Sequence, residues 1–388
     1  MNVVIVNQYC ENRGDEAAGT ALVQNLISFN PNVSIDIIYN SINKLDINSK
    51  NIHHRNIDLR LKDIGILGII QYLLFRKTIF NRFAFRNKTM KMMSDTIRGS
   101  DYVFVTPCGA CIGIYKSWPF LIRLLFVVRE GKRPIFCLNT IGTSNSFIFD
   151  KLANHVLRKS KIYVREKKSQ DYLKSIGIDS TLGVDTALSL PILHEKKQAK
   201  HIGMVVTELD WHPEFKGRDM RKEVLEIVIP SIAKYCINNG YILDIIPHIA
   251  SEKEFQFISD VRQKIIDLGM KEEAINILKE VKTCFDYDQA ISSEEMIIGM
   301  RYHSIVLSVK NEIPFLALSY ENKMKEVCNY SNCQNLLLDL HEQLTEEQII
   351  KKLMYVEMHK EEIIKTLRKV HKNLEELSKL PIKELEQI

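Results

Sequence analysis

The sequence predicts an α/β protein with two Rossmann-like domains that face a central cleft, and a long helical segment at the C-terminal end. Three observations support this prediction. Strand-like and helix-like stretches alternate over residues 1–193 and again over 194–344, a charged tract separates the two series, and helix-like periodicity fills residues 345–388. We therefore place domain boundaries at these positions and expect the helices of the third segment to pack across the hinge.

The first series begins with a strand, a loop with a helix, and a second strand, in MNVVIVNQY, ENRGDEAAGTALVQNLISF and VSIDIIYN. Unbroken apolar runs of this length are typical of strands that are buried on both faces of a parallel sheet. Helix-like stretches separate the later strands of the series, DYVFVTP, RPIFCLNT and KIYV, and the series closes near Pro191.

The second series follows the tract HEKKQAKH, where charge replaces hydrophobic periodicity. Its predicted strands are HIGMVVTEL, YILDIIPHI, AINIL, EEMIIGM and PFLALSY. After it, Thr345 and Gln348 form a T-x-x-Q capping box, the pattern that begins a helix.

Composition narrows the class of protein. The chain has 388 residues, 45% of them hydrophobic, so it can bury a sizeable core. A net charge of +5 with 26% charged residues is too small for a nucleic-acid binder, although a mild basic excess suits anionic small substrates. The eight cysteines are scattered along the chain, which predicts thiols in a reducing cytoplasm.

One stretch has a membrane-like composition without being long enough to cross a bilayer. No segment reaches the roughly 18 unbroken apolar residues of a spanning helix. The apolar run Ile64–Phe75 is followed by interleaved basic and aromatic residues, namely Arg76, Lys77, Phe80, Arg82, Phe83, Phe85, Arg86, Lys88 and Lys91. Such a segment either contacts the headgroups of an anionic membrane or forms a buried helix with a solvated basic end. Under the first of these two hypotheses, the protein is cytoplasmic and contacts the inner membrane peripherally.

A candidate site lies after the predicted strand EEMIIGM. Ligands of open parallel sheets bind at the carboxyl ends of the strands, where unpaired backbone N–H groups point toward the ligand. Arg301 and His303 stand at such a junction, because Gly299 permits a turn and a helix follows. Residues two apart diverge within a helix, but at a strand-to-helix turn both side chains can face one ligand. A guanidinium and an imidazole near a helix N-terminus indicate an anion site.

The stretch that contains this junction, GMRYHSIVLSVKNEIPFLALSYENK, resembles the "GMR-x-H … G-x-P … L-x-Y-x-x-K" block of the polysaccharide pyruvyltransferase family. Three shorter elements agree with it: the turn of Asn12, Gly14 and Asp15 resembles the family's "N-x-GD", residues 164–166 its "VR-[DE]", and residues 183–187 its "D-x-A". The chain departs from the family at TPCGACIG, where members often have a run of glycines. The acceptor end of the cleft is therefore expected to differ.

The resemblance implies a GT-B-like fold and transfer of a pyruvyl group from phosphoenolpyruvate (PEP) to a sugar as a cyclic ketal. The first domain would be the acceptor side and the second the PEP side. The partners would be PEP and a glycan or lipid-linked sugar, and the reaction needs no further cofactor and no metal.

The same resemblance suggests roles for five residues. Arg301 and Arg165, from opposite halves, would hold the phosphate and carboxylate of PEP. Lys323 is a further partner for these anions, and Tyr320 precedes it in the same block. His303 would be the acid or base, since an imidazole with its unperturbed pKa of about 6.5 both gives and takes a proton near neutral pH. Without the motif, Arg165 reads as an ordinary surface arginine beside the solvated EKKSQ.

Other candidates have two interpretations each. Asn12 and Asp15 either contact substrate or only satisfy backbone donors at the start of the first helix, and Gly14 between them is a further candidate for substrate binding. His248, which follows a predicted strand, either contacts the acceptor or caps a loop.

Other functional classes stay open at this point. Cys108 and Cys111 form a C-x-x-C, but no second pair follows at zinc-site spacing, which favours thiols lining a loop. A GT-B glycosyltransferase would need a carboxylate to bind the ribose of a nucleotide sugar, and Glu294 and Glu295 precede a strand, where they are poorly placed. A non-catalytic glycan-binding relative is the third class, and the presence of both motif residues, arginine and histidine, speaks against it.

Overall fold

The computed structural model describes residues 1–55, 66–74, 88–195, 197–249, 251–383 and 385. The chain divides into two compact units. The first consists of Met1–Glu11, Ala18–Thr186 and Leu377–Ile388, and the second of Asn12–Ala17 and Ala187–Glu376. Each unit contains one parallel sheet with helices, so the predicted α/β class with two Rossmann-like halves is confirmed.

The sheet of the first unit has seven parallel strands among the described residues, in the order β3-β2-β1-β4-β5-β6-β7. The strands are β1 (Asn2–Gln8), β2 (Ser34–Tyr39), β3 (Ile52–Arg55), β4 (Tyr102–Val105), β5 (Pro134–Asn139), β6 (Lys161–Val164) and β7 (Thr181–Leu182). The apolar runs that predicted β1, β4 and β5 lie in the middle of this order, where both faces of a sheet are covered. The edge strand β3 has the sequence IHHR and was not predicted, because half-buried histidines interrupt any apolar run.

The helices described in the first unit separate its strands along the chain. They are α1 (Arg13–Phe29), α2 (Ile66–Leu74), α3 (Lys88–Gly99), α4 (Trp118–Arg129), α5 (Phe147–Leu157) and α6 (Lys167–Ser175). Helix α4 is buried almost all round, from Phe120 to Val127, and it belongs to an apolar cluster of this unit. The start of α1, up to Ala17, is grouped with the second unit.

The sheet of the second unit has the order β10-β9-β8-β11-β12-β13 over the described residues, and its strands are parallel. The strands are β8 (His201–Val205), β9 (Ile242–Ile245), β10 (Ile275–Ile277), β11 (Met296–Gly299), β12 (Phe315–Ser319) and β13 (Leu337–Asp339). All five predicted strands of this half are present. The order reverses between β8 and β11, and in open α/β sheets such a switch point is where ligands bind.

Helices connect these strands and fill the C-terminal region. They are α7 (Met220–Glu223), α8 (Ile229–Asn239), α9 (Glu252–Asp267), α10 (Cys284–Ser293), α11 (Tyr302–Lys310), α12 (Asn322–Tyr330), α13 (Glu346–Met358), α14 (Lys360–Ser378) and α15 (Leu380–Lys383). The predicted capping box is present at the start of α13, where the Thr345 hydroxyl accepts from the Gln348 N–H and the Thr345 N–H donates to Gln348 Oε1. The long C-terminal helical segment is thereby confirmed.

The stretch proposed for membrane contact lies mostly outside the described residues, which omit 75–87. Among the helices that the structure describes, none is both long and apolar enough to span a bilayer.

Candidate functional site

The candidate site of the second unit is built from the loops that follow β8, β9, β11 and β12. These four strands are neighbours in the sheet, so their carboxyl ends bring His212, His248, Arg301 and Lys323 to one edge. The N-terminal turn of α1 belongs to the same unit, and its Arg13 N–H donates to the carbonyl of His248 at 3.1 Å.

Arg301 is the N-cap residue of α11 and has an extended backbone, with φ −113° and ψ 137°. Its side chain is buried, and the nearest carboxylate oxygen, on Glu254, is 3.9 Å from the guanidinium. The guanidinium carbon lies 5.5 Å from the centre of the Trp211 ring. The Nε of Arg301 has no hydrogen-bond partner among the described residues. A buried N–H donor without a partner is uncommon and calls for an explanation such as a ligand.

His303 lies in the first turn of α11 and packs against the turn that contains Gly14. A Cβ atom on Gly14 would stand 1.9 Å from Nδ1 of His303, so any larger residue at this position would displace the imidazole. Asn12 caps this turn, because its Oδ1 accepts from the backbone N–H of Gly14 at 2.8 Å and of Asp15 at 3.2 Å. Asn12 therefore acts as a backbone cap, and its contact with a substrate stays a prediction. A substrate role for Asp15, which is half-buried, stays a prediction.

His248 is the neutral centre of this group of charged residues. Burial, and after it the charges of Arg301, His303, Arg13 and Lys323, lowers the pKa of His248 well below its ordinary value. Its Nδ1 is buried and has no hydrogen-bond partner in the described part of the chain. A neutral imidazole surrounded by cationic groups can donate or accept a hydrogen bond, but it is a poor proton donor at neutral pH.

Lys323 is linked to two residues that the sequence did not single out. Its ammonium is 2.7 Å from Glu321 Oε2, and Glu321 Oε1 is 3.4 Å from Nε2 of His212. Burial alone would raise the pKa of Glu321, but Lys323 and His212 hold it well below its usual range. His212 Nδ1 accepts from the Glu214 N–H at 3.4 Å, so Nε2 is the ring nitrogen that faces Glu321. The sequence feature that could have identified His212 as a site residue is its position in a loop after a buried strand.

Tyr320 is buried between these groups. The His212 ring contacts it edge-on at a centroid distance of 5.3 Å, and the Trp211 ring lies 6.2 Å away. Burial, followed by the charge of Glu321, raises the pKa of Tyr320, which keeps the phenol neutral. Direct contact of Tyr320 with a substrate stays a prediction.

Arg165 occupies a different environment in the first unit. Its guanidinium is 2.5 Å from Asp185 Oδ2, and the two side chains are 1% and 0% exposed. Nε also donates to Thr140 Oγ1 at 3.3 Å. The interpretation as a surface arginine is therefore wrong. The ion pair joins the "VR-[DE]" and "D-x-A" elements, which explains physically why both occur, and the predicted contact between Arg165 and PEP stays a prediction.

The C-x-x-C lies in a loop of the first unit, and none of the eight cysteines, all of which are described, forms a disulfide bond. Cys108 is buried, and its sulfur accepts from Asn139 Nδ2 at 3.2 Å. Elsewhere in the described residues, His201, Asp244 and Glu294 have ligand atoms within 4.8 Å of one another. This group surrounds the amino ends of β8 and β11 and is separate from the candidate site.

Two Rossmann-like units define a GT-B-like protein, and cationic side chains converge at the switch point of the second sheet. The chain belongs to the polysaccharide pyruvyl transferase family, whose model matches residues 12–322. A curated relative, the amylovoran biosynthesis protein AmsJ of Erwinia amylovora, is 22% identical over 91% of both chains.

Solved structures confirm the fold alone, because their sequence identities are low. The UDP-GlcNAc 2-epimerase of Neisseria meningitidis, bound to UDP-GlcNAc, superposes with a TM-score of 0.60 at 13% identity over 100% of both chains. The trehalose-6-phosphate synthase OtsA gives a TM-score of 0.55 at 10% identity, covering 100% of this chain and 99% of its own.

Proposed function

We propose that this protein transfers a pyruvyl group from PEP to two hydroxyls of a sugar in a surface or lipid-linked glycan, forming a cyclic ketal and releasing phosphate. Membership of the family and the likeness to a protein of amylovoran biosynthesis support a role in polysaccharide synthesis. The proposal adds to this role the identity of the donor, the ketal product and the sugar acceptor.

The observation that carries the proposal is Arg301. Its guanidinium is buried, only distantly paired with Glu254, and has an unsatisfied Nε donor among the described residues. An anion with two charged groups, such as the phosphate and carboxylate of PEP, would accept this hydrogen bond and approach His303 and Lys323 at the same edge. The net benefit of such a bond to a charged group is about 1.5–3 kcal/mol.

The proposed pyruvyl transfer needs only one protein group that acts as both acid and base. His303 donates a proton to the methylene carbon of PEP, which becomes the methyl group, and a sugar hydroxyl adds to the neighbouring carbon and returns its proton to His303. The bond from that carbon to the phosphate oxygen then breaks, and the second hydroxyl forms the second ketal bond. Its proton leaves with the phosphate. Positioned proton transfer of this kind contributes about 10²–10⁴ in rate.

The acceptor must present two hydroxyls close together, either the 4- and 6-positions of a hexopyranose or a cis vicinal pair. Galactose, glucose and N-acetylhexosamine units meet this requirement, and we favour a β-linked galactose. If the acceptor is lipid-linked, the basic segment at 76–91 would add reversible attachment to an anionic membrane, contributing about 1 kcal/mol per engaged charge. Sedimentation with anionic vesicles at low and high salt tests that attachment.

The experiment that tests the donor compares PEP with a panel of nucleotide sugars. We expect calorimetric binding of PEP, and release of phosphate only when a galactoside, glucoside or N-acetylhexosaminide is added as well. The product should show the methyl signal of a ketal in its NMR spectrum. Tight binding of a nucleotide sugar without binding of PEP would establish the alternative, a GT-B glycosyltransferase. Binding of a glycan without turnover would establish a non-catalytic relative.

A further inference from the structure

The loop after β8 places one exposed aromatic ring next to the buried groups of the candidate site. Trp211 is 41% exposed, whereas its neighbours Arg301, His212 and Tyr320 are each less than a tenth exposed. A large apolar ring that stays in water beside a polar site is a common feature of binding surfaces, because the ring gains free energy when a ligand covers it.

The Trp211 ring is held in place by its buried neighbours. The His212 ring packs edge-on against it at 5.3 Å, the Tyr320 ring at 6.2 Å, and the Arg301 guanidinium carbon lies 5.5 Å from its centre. Its indole N–H is directed to Thr207 Oγ1 at 3.4 Å. Because these contacts fix the orientation of the ring before any ligand binds, little conformational entropy is lost on binding.

We propose that Trp211, although it lies in the unit expected to be the PEP side, is the platform on which a sugar unit of the acceptor glycan stacks. The inference rests on the proposed function, because it assumes that the acceptor is a glycan. A pyranose ring has one face made of C–H groups, which carry a small positive charge and match the negative face of an indole. The phosphate and carboxylate of PEP lack such a face and are repelled by the same charge distribution. The platform therefore selects the acceptor and not the donor.

The chain offers a direct test, since it contains only two tryptophans, Trp118 and Trp211. In a Trp118→Phe variant, Trp211 is the single indole reporter, and Trp118 lies in the first unit, packed against Phe149. The probes are the methyl β-glycosides of galactose, glucose and N-acetylglucosamine, added with PEP present. We expect a saturable blue shift of the Trp211 emission with at least one of them. A Trp211→Phe variant, which keeps only Trp118, should show no such shift.

The affinities of Trp211 variants for glycoside and for PEP show whether the indole binds the sugar or only supports the local structure. Trp211→Ala should weaken binding of the glycoside about tenfold or more, and Trp211→Phe should weaken it less, because a smaller ring remains. PEP affinity, measured by calorimetry, should stay within about twofold in Trp211→Phe.

Two results would overturn the inference. One is glycoside binding or turnover without a change in Trp211 emission. The other is loss of PEP affinity in the Trp211 variants with unchanged glycoside affinity. Failure of the wild-type protein to bind PEP would instead contradict the proposed function, so the two failures are distinguishable.

Discussion

Arg165 in the first unit and Arg301 in the second both follow a parallel strand, but their guanidinium groups differ in their hydrogen-bond and ion-pair partners. Arg165 is in a buried ion pair with Asp185 at 2.5 Å and also binds Thr140. Arg301 is almost as buried, but its nearest carboxylate oxygen is 3.9 Å away and its Nε has no partner among the described residues. The resemblance to the family made both arginines candidates for binding one anion. A motif match therefore identifies an arginine that is buried after a strand. Whether that arginine can bind a ligand depends on the partners that its guanidinium already has in the folded protein.

The largest effect is expected at His303, beside Arg301. His303→Ala should reduce kcat by about 10²–10⁴ and leave the Kd for PEP nearly unchanged, because proton transfer and not binding is removed. Phosphate release and calorimetry measure the two quantities. His155→Ala, an exposed substitution on α5, is the control. Equal losses of binding and turnover would make His303 a ligand contact and not the acid.

Arg165→Met should have the largest effect on stability. Removing one partner of a buried pair leaves Asp185 buried without this counter-charge, which costs about 3–5 kcal/mol of unfolding free energy. Urea denaturation measures this loss, and the exposed Arg133→Met should shift stability by no more than about 0.5 kcal/mol. A stable Arg165→Met protein that no longer binds PEP would instead support a direct substrate contact.

Glu294 is another buried group whose side-chain oxygens have no hydrogen-bond partner among the described residues. Burial, and then the charge of Asp244, raises the pKa of Glu294 to about 9, so the folded protein keeps this proton at neutral pH. The unfolded chain releases it above its ordinary pKa of 4.5. Between these values the folded state binds more protons, so its stability falls as pH rises.

Glu294→Gln should remove this fall, because an amide does not ionise in either state. We expect a gain of about 2–4 kcal/mol in unfolding free energy at pH 8, and almost none at pH 4. PEP affinity should not change, since Glu294 is at the opposite edge of the sheet from Arg301. The exposed Glu273→Gln is the control. A gain that is the same at both pH values would contradict the assigned pKa.

The smallest effect is expected at His212, which acts on Lys323 through Glu321. His212→Leu removes the N–H that faces Glu321, so the carboxylate interacts more strongly with Lys323 and weakens its attraction for an anion. A loss of about 1 kcal/mol in PEP binding is expected, because the contact is long. His212→Gln, which places an N–H near the same point, should restore binding. Equal behaviour of both variants would indicate a packing role.

Much of the fold could be predicted because central strands are buried on both faces. Their apolar runs identify them without tertiary information. The short strands β3 and β13 were missed, since four and three residues, all but Ile52 of them half-exposed, carry too little periodicity. The junction at Arg301 and His303 was predicted from the strand end that precedes it.

The partners of the site residues could not be predicted in the same way. Glu321 and His212 meet only because β12 and β8 flank β11 in the sheet, and they are distant in sequence. The buried pair of Arg165 with Asp185 was likewise hidden from the sequence by the polar stretch EKKSQ, which was expected to be solvated although Glu166 and Ser169 are buried. The hydrogen-bond and ion-pair partners of a side chain depend on such long-range contacts, and a local sequence pattern does not predict them.

The central claim is that the Arg301 guanidinium binds the donor anion, and calorimetric titration of PEP tests it most directly. Wild-type protein, Arg301→Gln and the half-buried control Arg262→Gln, which removes the ion pair to Glu272, should be titrated under one condition. We expect Arg301→Gln to weaken PEP binding by about 10- to 100-fold with an unchanged melting temperature, and Arg262→Gln to bind like the wild type. Unchanged affinity in a folded Arg301→Gln protein would contradict the account.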